Sequence, residues 1–143
     1  MVIAILDDDI GRRVEMERLL FEVKPDAKVE VFDNAPDMIA WLARRIDDVT
    51  LVSLAHDLGP SRFRDGMLFD PGSGRDVADF LNEMDRTFPI IVHAANVTKG
   101  DNMCASLRGA GWSCARIHAK RDPGWISTEW VPKVVEFETE THG

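Results

Sequence analysis

The sequence predicts an α/β fold, a flavodoxin-like doubly wound five-stranded parallel sheet with helices on both faces. Three observations predict it. Short apolar runs recur at 2–6, 50–54 and 89–92, and a continuous run of this length suits a strand covered on both faces. Stretches with apolar residues at helical spacing alternate with these runs, which is the pattern of βαβ units. Asp, His and Asn residues stand just past the ends of the runs, where open parallel sheets bind ligands.

Val2-Ile3-Ala4-Ile5-Leu6 forms the first strand. Residues 12–22 follow as a helix on the spacing of Val14, Leu19 and Leu20, with Met16 and Phe21 flanking and Pro25 stopping it. Val29-Glu30-Val31-Phe32 alternates and so predicts a second strand near a sheet edge. Asn34, with Asp37 three residues on, caps a second helix whose apolar face is Met38, Ile39, Leu42 and Trp41. Residues 50–54 give the third strand. A long loop is expected over 58–73, with Gly59, Pro60, Gly66, Pro71 and Gly72, and a loop of that length is usually functional or mobile. Ser73 and Asp76 read as a capping box opening a helix through Val77, Phe80, Leu81 and Met84. The fourth strand is 89–92. A helix around 100–109 ends at Gly109 and Gly111, Trp112 to Ile117 is a weaker fifth strand, and 126–137 is a last helix to which Pro132 objects. No linker or repeat divides residues 1–143, so one domain is expected.

Composition narrows the function. The 143 residues are 45% hydrophobic and 29% charged, with a formal net charge of −8. That balance argues against a broad DNA-binding or anionic-membrane surface, which needs clustered Lys and Arg. It is compatible with a small phosphorylated ligand whose charge a metal offsets. Cys104 and Cys114 have no zinc-type spacing and, with no signal-like start, read as reduced thiols of a cytoplasmic protein. No apolar run approaches the roughly 20 residues of a membrane span.

The residues past the strand ends predict one acidic pocket with two histidines on its rim. Asp7, Asp8 and Asp9 follow the first strand and Asp57 follows the third. Crowded carboxylates repel unless a cation or proton sits among them. Mg²⁺ or another divalent cation takes such ligands, usually one or two carboxylates, and keeps places for phosphate oxygens. Asp7, Asp8 and Asp57 are therefore the candidate metal ligands. His56, beside Asp57, and His93, after the fourth strand, are candidates for proton transfer or for ligating a transition metal. His118 reads as structural, and His142 in the tail carries no role. Asn96, Thr98, Gly100 and Asn102 form a polar turn into a helix, a setting that favours an anion. Lys120 can neutralise a phosphate, and Arg62, Arg64 and Arg75 are either phosphate clamps or solvated charges.

These residues resemble a receiver domain of the response-regulator kind over nearly the whole chain. The resemblance implies that Asp7 and Asp8 are the acidic pair that holds Mg²⁺, Asp57 the phosphoryl acceptor, and Lys120 the lysine after the fifth strand. Ala94 stands where receivers have Thr or Ser, and Lys120 precedes Arg121 instead of Pro. The chain is more similar to the cyclic-phosphate-processing branch of receiver-like domains. The matching motifs are Asp7-Asp8, His56-Asp57-Leu58-Gly59, Gly74-Arg75-Asp76-Val77-Ala78, His93-Ala94-Ala95-Asn96 and Gly100-Asp101-Asn102-Met103. This resemblance implies a metal-dependent phosphoesterase acting on cyclic phosphates of nucleotides or RNA ends. Asp57, His56 and His93 would be catalytic, and Asn96, Asn102 and Lys120 would hold substrate. The alternatives are a stand-alone receiver phosphorylated on Asp57 in a phosphorelay, and a non-catalytic pseudo-receiver that binds a protein partner.

Overall fold

The computed structural model describes residues 1–142, with side chains through Glu140. His142 closes the last helix, and its side chain lies outside the described residues. Five parallel strands form the main sheet: β1 (Val2–Leu6), β2 (Lys28–Phe32), β3 (Val49–Leu54), β6 (Ile90–Val92) and β7 (Cys114–Arg116), in the order β2-β1-β3-β6-β7. A separate antiparallel pair, β4 (Arg62–Arg64) and β5 (Met67–Phe69), lies between β3 and β6 in sequence. The five main strands thus have the doubly wound order in which the direction of winding reverses beside β1.

Alternating side chains of each strand feed two cores, as the two-residue strand period dictates. Ala4, Leu6, Val52, Leu54, Ile90 and Val92 face the helices α2 (Ala35–Arg45), α3 (Gly74–Leu81) and α4 (Val97–Gly109), which contribute Met38, Leu42, Val77, Leu81, Met103 and Leu107. Ile3, Ile5, Leu51 and Ile91 face the other way. They meet α1 (Ile10–Val23), a π-helical turn (Ile126–Trp130) and α5 (Val131–His142) through Met16, Leu20, Trp130 and Val134. In α1 the buried pair is Met16 and Leu20, one helical turn apart, whereas Val14 and Phe21 are exposed. The expected face is therefore rotated, because i,i+4 placement decides which apolar residues reach the sheet.

Two expected elements take a different form. The loop at 58–73 contains a β-hairpin. Asp65 and Gly66 have φ of 54° and 80°, the two positive values that a two-residue type I′ turn requires. Phe63 then pairs with Leu68 and Arg64 with Met67. The last helix accommodates Pro132 because the chain enters it through the π-helical turn, where Val131 N–H bonds Ile126 O. Pro132 is the second residue of α5, directly after that wider turn. The fifth strand is shorter than expected. Trp112 precedes it and packs on Phe88 at 5.1 Å between ring centroids.

Candidate functional site

Register builds the site. Leu6 pairs with Leu54, Leu54 with Val92, and Val92 with Arg116. Backbone bonds one residue further on, Ala55 N to Leu6 O and His93 N to Leu54 O, keep the strand ends level. Asp7, Ala55 and His93 therefore leave the sheet side by side. Of the three consecutive aspartates, Asp7 is buried, Asp8 is half-buried, and Asp9 turns outward as the N-cap of α1, accepting from Arg12 N.

Asp7 is the hub of a buried polar chain. Its Oδ1 accepts from Asp9 N at 2.9 Å and Arg12 Nη2 at 3.1 Å; its Oδ2 accepts from Arg12 Nε at 3.0 Å and lies 3.0 Å from His93 Nε2. These contacts fill about the four acceptor positions of a carboxylate. His93 Nδ1 lies 2.6 Å from Ser53 Oγ, which accepts from Trp130 Nε1 at 2.9 Å. Trp130 can only donate, so the proton order that satisfies every group runs Trp130 to Ser53, Ser53 to His93 Nδ1, and His93 Nε2–H to Asp7. Burial pushes the Asp7 pKa up, but the His93 bond, the Arg12 fork and the Asp9 N–H outweigh it and hold it below the usual carboxylate value. His93 is thus not on a rim. Its ring is buried, engaged at both nitrogens, and stacked on Trp125 with centroids 6.0 Å apart.

The second cluster opens to solvent at Asp57, whose side chain is 64% exposed and lies 2.6 Å from Nδ1 of the largely buried His56. The turn that carries this pair is tied down by a bridge between Asp57 and Ser73 and by Gly74 N donating to His56 O. Gly74 is required there, since a Cβ on it would stand 1.8 Å from Ala55 O.

The remaining expected residues are distributed around this centre. Asn96 is half-buried and caps α4, accepting from Lys99 N at 3.1 Å. Asn102 is exposed on α4. Lys120 is exposed and lines a cavity of about 410 Å³ between the start of α1 and the segment after β7. Arg62, Arg64 and Arg75 are not free clamps, because they pair with Asp33, Asp37 and Asp79. His118 follows β7, exposed, 4.0 Å from Asp101.

Sequence reasoning missed Ser53, Trp130, Arg12 and Arg116. Arg116 bonds Asp101, Val92 O, Ile117 O and Asn96 O, so it ties the end of β6 to the start of α4. Ser53 had a signal: a lone hydroxyl inside an apolar strand must find a partner when buried.

The donor set bears on a divalent cation. Among the described residues no three His, Cys, Asp or Glu side chains converge as a ligand cluster. Asp7 is filled by Arg12, His93 and Asp9. Asp8 differs: burial and then the charge of Asp7 push its pKa up. A half-buried carboxylate under repulsion fits an ion that takes one or two carboxylates and keeps its waters.

Solved structures with this architecture define the class. The signal receiver domain of a putative Luxo repressor protein from Vibrio parahaemolyticus superposes with a TM-score of 0.65 at 14% identity, covering 97% of this chain and 93% of that one. The phosphorylated cyanobacterial phytochrome response regulator RcpA gives 0.69 at 13% identity, covering 95% and 91%. The CheX-CheY-BeF3-Mg+2 complex from Borrelia burgdorferi gives 0.65 at 11% identity, covering 94% and 89%. At these identities the likeness shows the receiver fold. Residues 3–109 match the family model of the cyclic-phosphate processing receiver domain, and the chain belongs to that family. No curated protein matches it.

Proposed function

We infer that this chain carries out divalent-metal-dependent phosphate-ester chemistry, opening a cyclic phosphate on a nucleotide or an RNA end. The observation that carries the reading is the exposed Asp57 carboxylate 2.6 Å from His56 Nδ1 at the end of β3. A ring held at Nδ1 by a carboxylate has its other nitrogen, Nε2, for a proton. His56 then takes a proton from the attacking water and returns one to the leaving sugar oxygen. Asp8 and Asp57 would hold the cation, with Asp7 behind them as the anchor of the strand end. When bound, such an ion supplies Lewis acidity and an acidified water. His93 serves as a positioning residue, because it reaches the site only through Asp7. Lys120 would meet the phosphate as an ammonium donor, and Asn96 and Asn102 would hold the substrate from the α4 side. Two reduced thiols, Cys104 and Cys114, their sulfurs 3.3 Å apart and unbridged, support a cytoplasmic setting.

Incubation with a 2′,3′-cyclic nucleotide and Mg²⁺ tests the reading. His56→Ala is expected to lower kcat by about 10²–10⁴-fold, the usual worth of one acid–base group. Absence of wild-type turnover with Mg²⁺ or Mn²⁺ overturns it.

The exposure of Asp57 also favours a second reading, a stand-alone receiver phosphorylated there and read by a protein partner. CheY in its complex with CheX is a receiver-fold precedent for such a partner. Buried Ala94 argues against it, since it offers no hydroxyl to the phosphoryl group. A small phosphodonor would then leave an intact-mass adduct that Asp57→Asn abolishes. With neither adduct, turnover nor cation binding, the non-catalytic pseudo-receiver is the reading that remains.

A further inference from the structure

We propose that the cavity between α1 and the segment after β7 is the binding site for the phosphate-bearing sugar of the substrate, and that it holds ribose phosphate without selecting the base. The proposal rests on the phosphate-ester reading for its ligand class. Its siting rests on the cavity.

The cavity, about 410 Å³, falls within the range of roughly 300–1,000 Å³ typical of small-ligand sites. Its cations are Arg12, Lys120 and Arg121, and its acids are Asp9 and Glu15. The chain carries a net charge of −8, so three cations around one cavity run against the whole-molecule charge. Of the acids, Glu15 is offset by a cation and Asp9 keeps its charge. Asp9 caps Arg12 N at 2.9 Å, and Glu15 pairs with Arg18 at 2.6 Å. Arg12 spends Nε and Nη2 on Asp7. Lys120 and Arg121 are exposed, and among the described residues their side chains make no hydrogen bond or ion pair. Lys120 and Arg121 against the one carboxylate of Asp9 leave the cavity positive, and a phosphate answers that charge through charge-assisted bonds, for which Arg121 supplies a fork and Lys120 a point charge.

The walls also say what the rest of the ligand is. Gly11 and Pro123 are the uncharged lining residues, and among the described residues no aromatic ring lines the cavity. Base recognition normally uses stacking on aromatic side chains, so the base is left outside. Arg12 joins the cavity to the catalytic centre, because the same guanidinium that lines one grips Asp7 in the other. A phosphate on Lys120 and Arg121 thus sits on the α1 side of the strand ends, across from the amides of α4.

Calorimetric titration of the full chain with ribose 5-phosphate, AMP and UMP tests this directly. The three ligands are expected to bind within about threefold of one another, and Arg121→Glu to weaken all three by about tenfold or more. Circular dichroism checks that the exposed substitution leaves the fold intact, and Lys120→Gln, expected to weaken all three in the same sense, serves as the second variant. No wild-type binding, affinity that differs widely between AMP and UMP, or unchanged affinity in both variants overturns the proposal. Turnover separates the two readings. Binding without hydrolysis of a cyclic nucleotide leaves the cavity standing and removes the catalytic reading. Hydrolysis whose KM is unmoved by Arg121→Glu does the reverse.

Discussion

Asp7 carries the heaviest structural duty of any titratable side chain near the site. It is fully buried, and it holds Arg12 by two bonds and His93 by one. Removing one member of such a group leaves the others buried without a partner, and Asp7→Ala is expected to cost about 3–5 kcal/mol in urea unfolding at neutral pH. The pH sign follows from the direction of its pKa. The folded value lies below the ordinary one, so the unfolded chain takes up the proton first as pH falls. The contribution is complete above the unfolded value, about 3.9, and is lost as pH falls through the lower, folded one. The stability difference between wild type and Asp7→Asn should therefore be flat from pH 7 to 5 and shrink below pH 4. A difference that instead widens on acidification would contradict this role.

At the scale of elements, the site depends on how the turn after β3 meets the start of α3. Gly74 allows it: any Cβ there would strike Ala55 O, which belongs to backbone and cannot rotate away. Gly74→Ala is expected to cost about 1–3 kcal/mol or more by thermal unfolding, and to lower turnover further by moving His56 and Asp57. The hairpin β4–β5 is held by weaker means. Arg62 to Asp33 and Arg64 to Asp37 are exposed pairs, and both guanidiniums lie over the Phe69 ring. Such pairs contribute little to global stability, about 0–1 kcal/mol each. The Arg62→Ala/Arg64→Ala double variant should accordingly unfold almost with the wild type while its hairpin is cut faster by chymotrypsin at Phe63 and Leu68, which are exposed on its surface. Equal cleavage of both proteins would show that other contacts secure the hairpin.

Over the whole molecule, carboxylate crowding at one end of the sheet would couple the fold to the proposed cation. Asp8 has its pKa raised by burial and by Asp7, so its charge at neutral pH disfavours the folded state until a cation arrives. Asp8→Asn should raise Tm in EDTA and lack the Tm increase expected of wild type on adding Mg²⁺. At ten times Kd that increase corresponds to about 1.4 kcal/mol. A thermal-shift titration checks both, and an Asp8→Asn protein that still responds fully to Mg²⁺ would place the cation elsewhere. The layout of the strands and their polar ends was readable in the sequence because strand boundaries, caps and βα turns are written locally, as at Val2–Leu6 and Asn34. The rest was not, because it depends on partners far apart in the chain. His93 is held by Ser53 and Trp125, and Ser53 in turn by Trp130, which no spacing rule brings together. The hairpin was hidden differently: Asp65-Gly66 is a turn signal, but glycines and prolines on either side outweighed it.

The most direct test of the central claim is multiple-turnover hydrolysis of a 2′,3′-cyclic nucleotide followed by ³¹P NMR, with Mg²⁺ and with EDTA, for wild type, His56→Ala and Asp57→Asn. The account predicts many products per chain for wild type with Mg²⁺, none in EDTA, and near-complete loss in both variants. Product formation that stops at one phosphoryl group per chain, or turnover that survives the loss of His56 and Asp57, would contradict it.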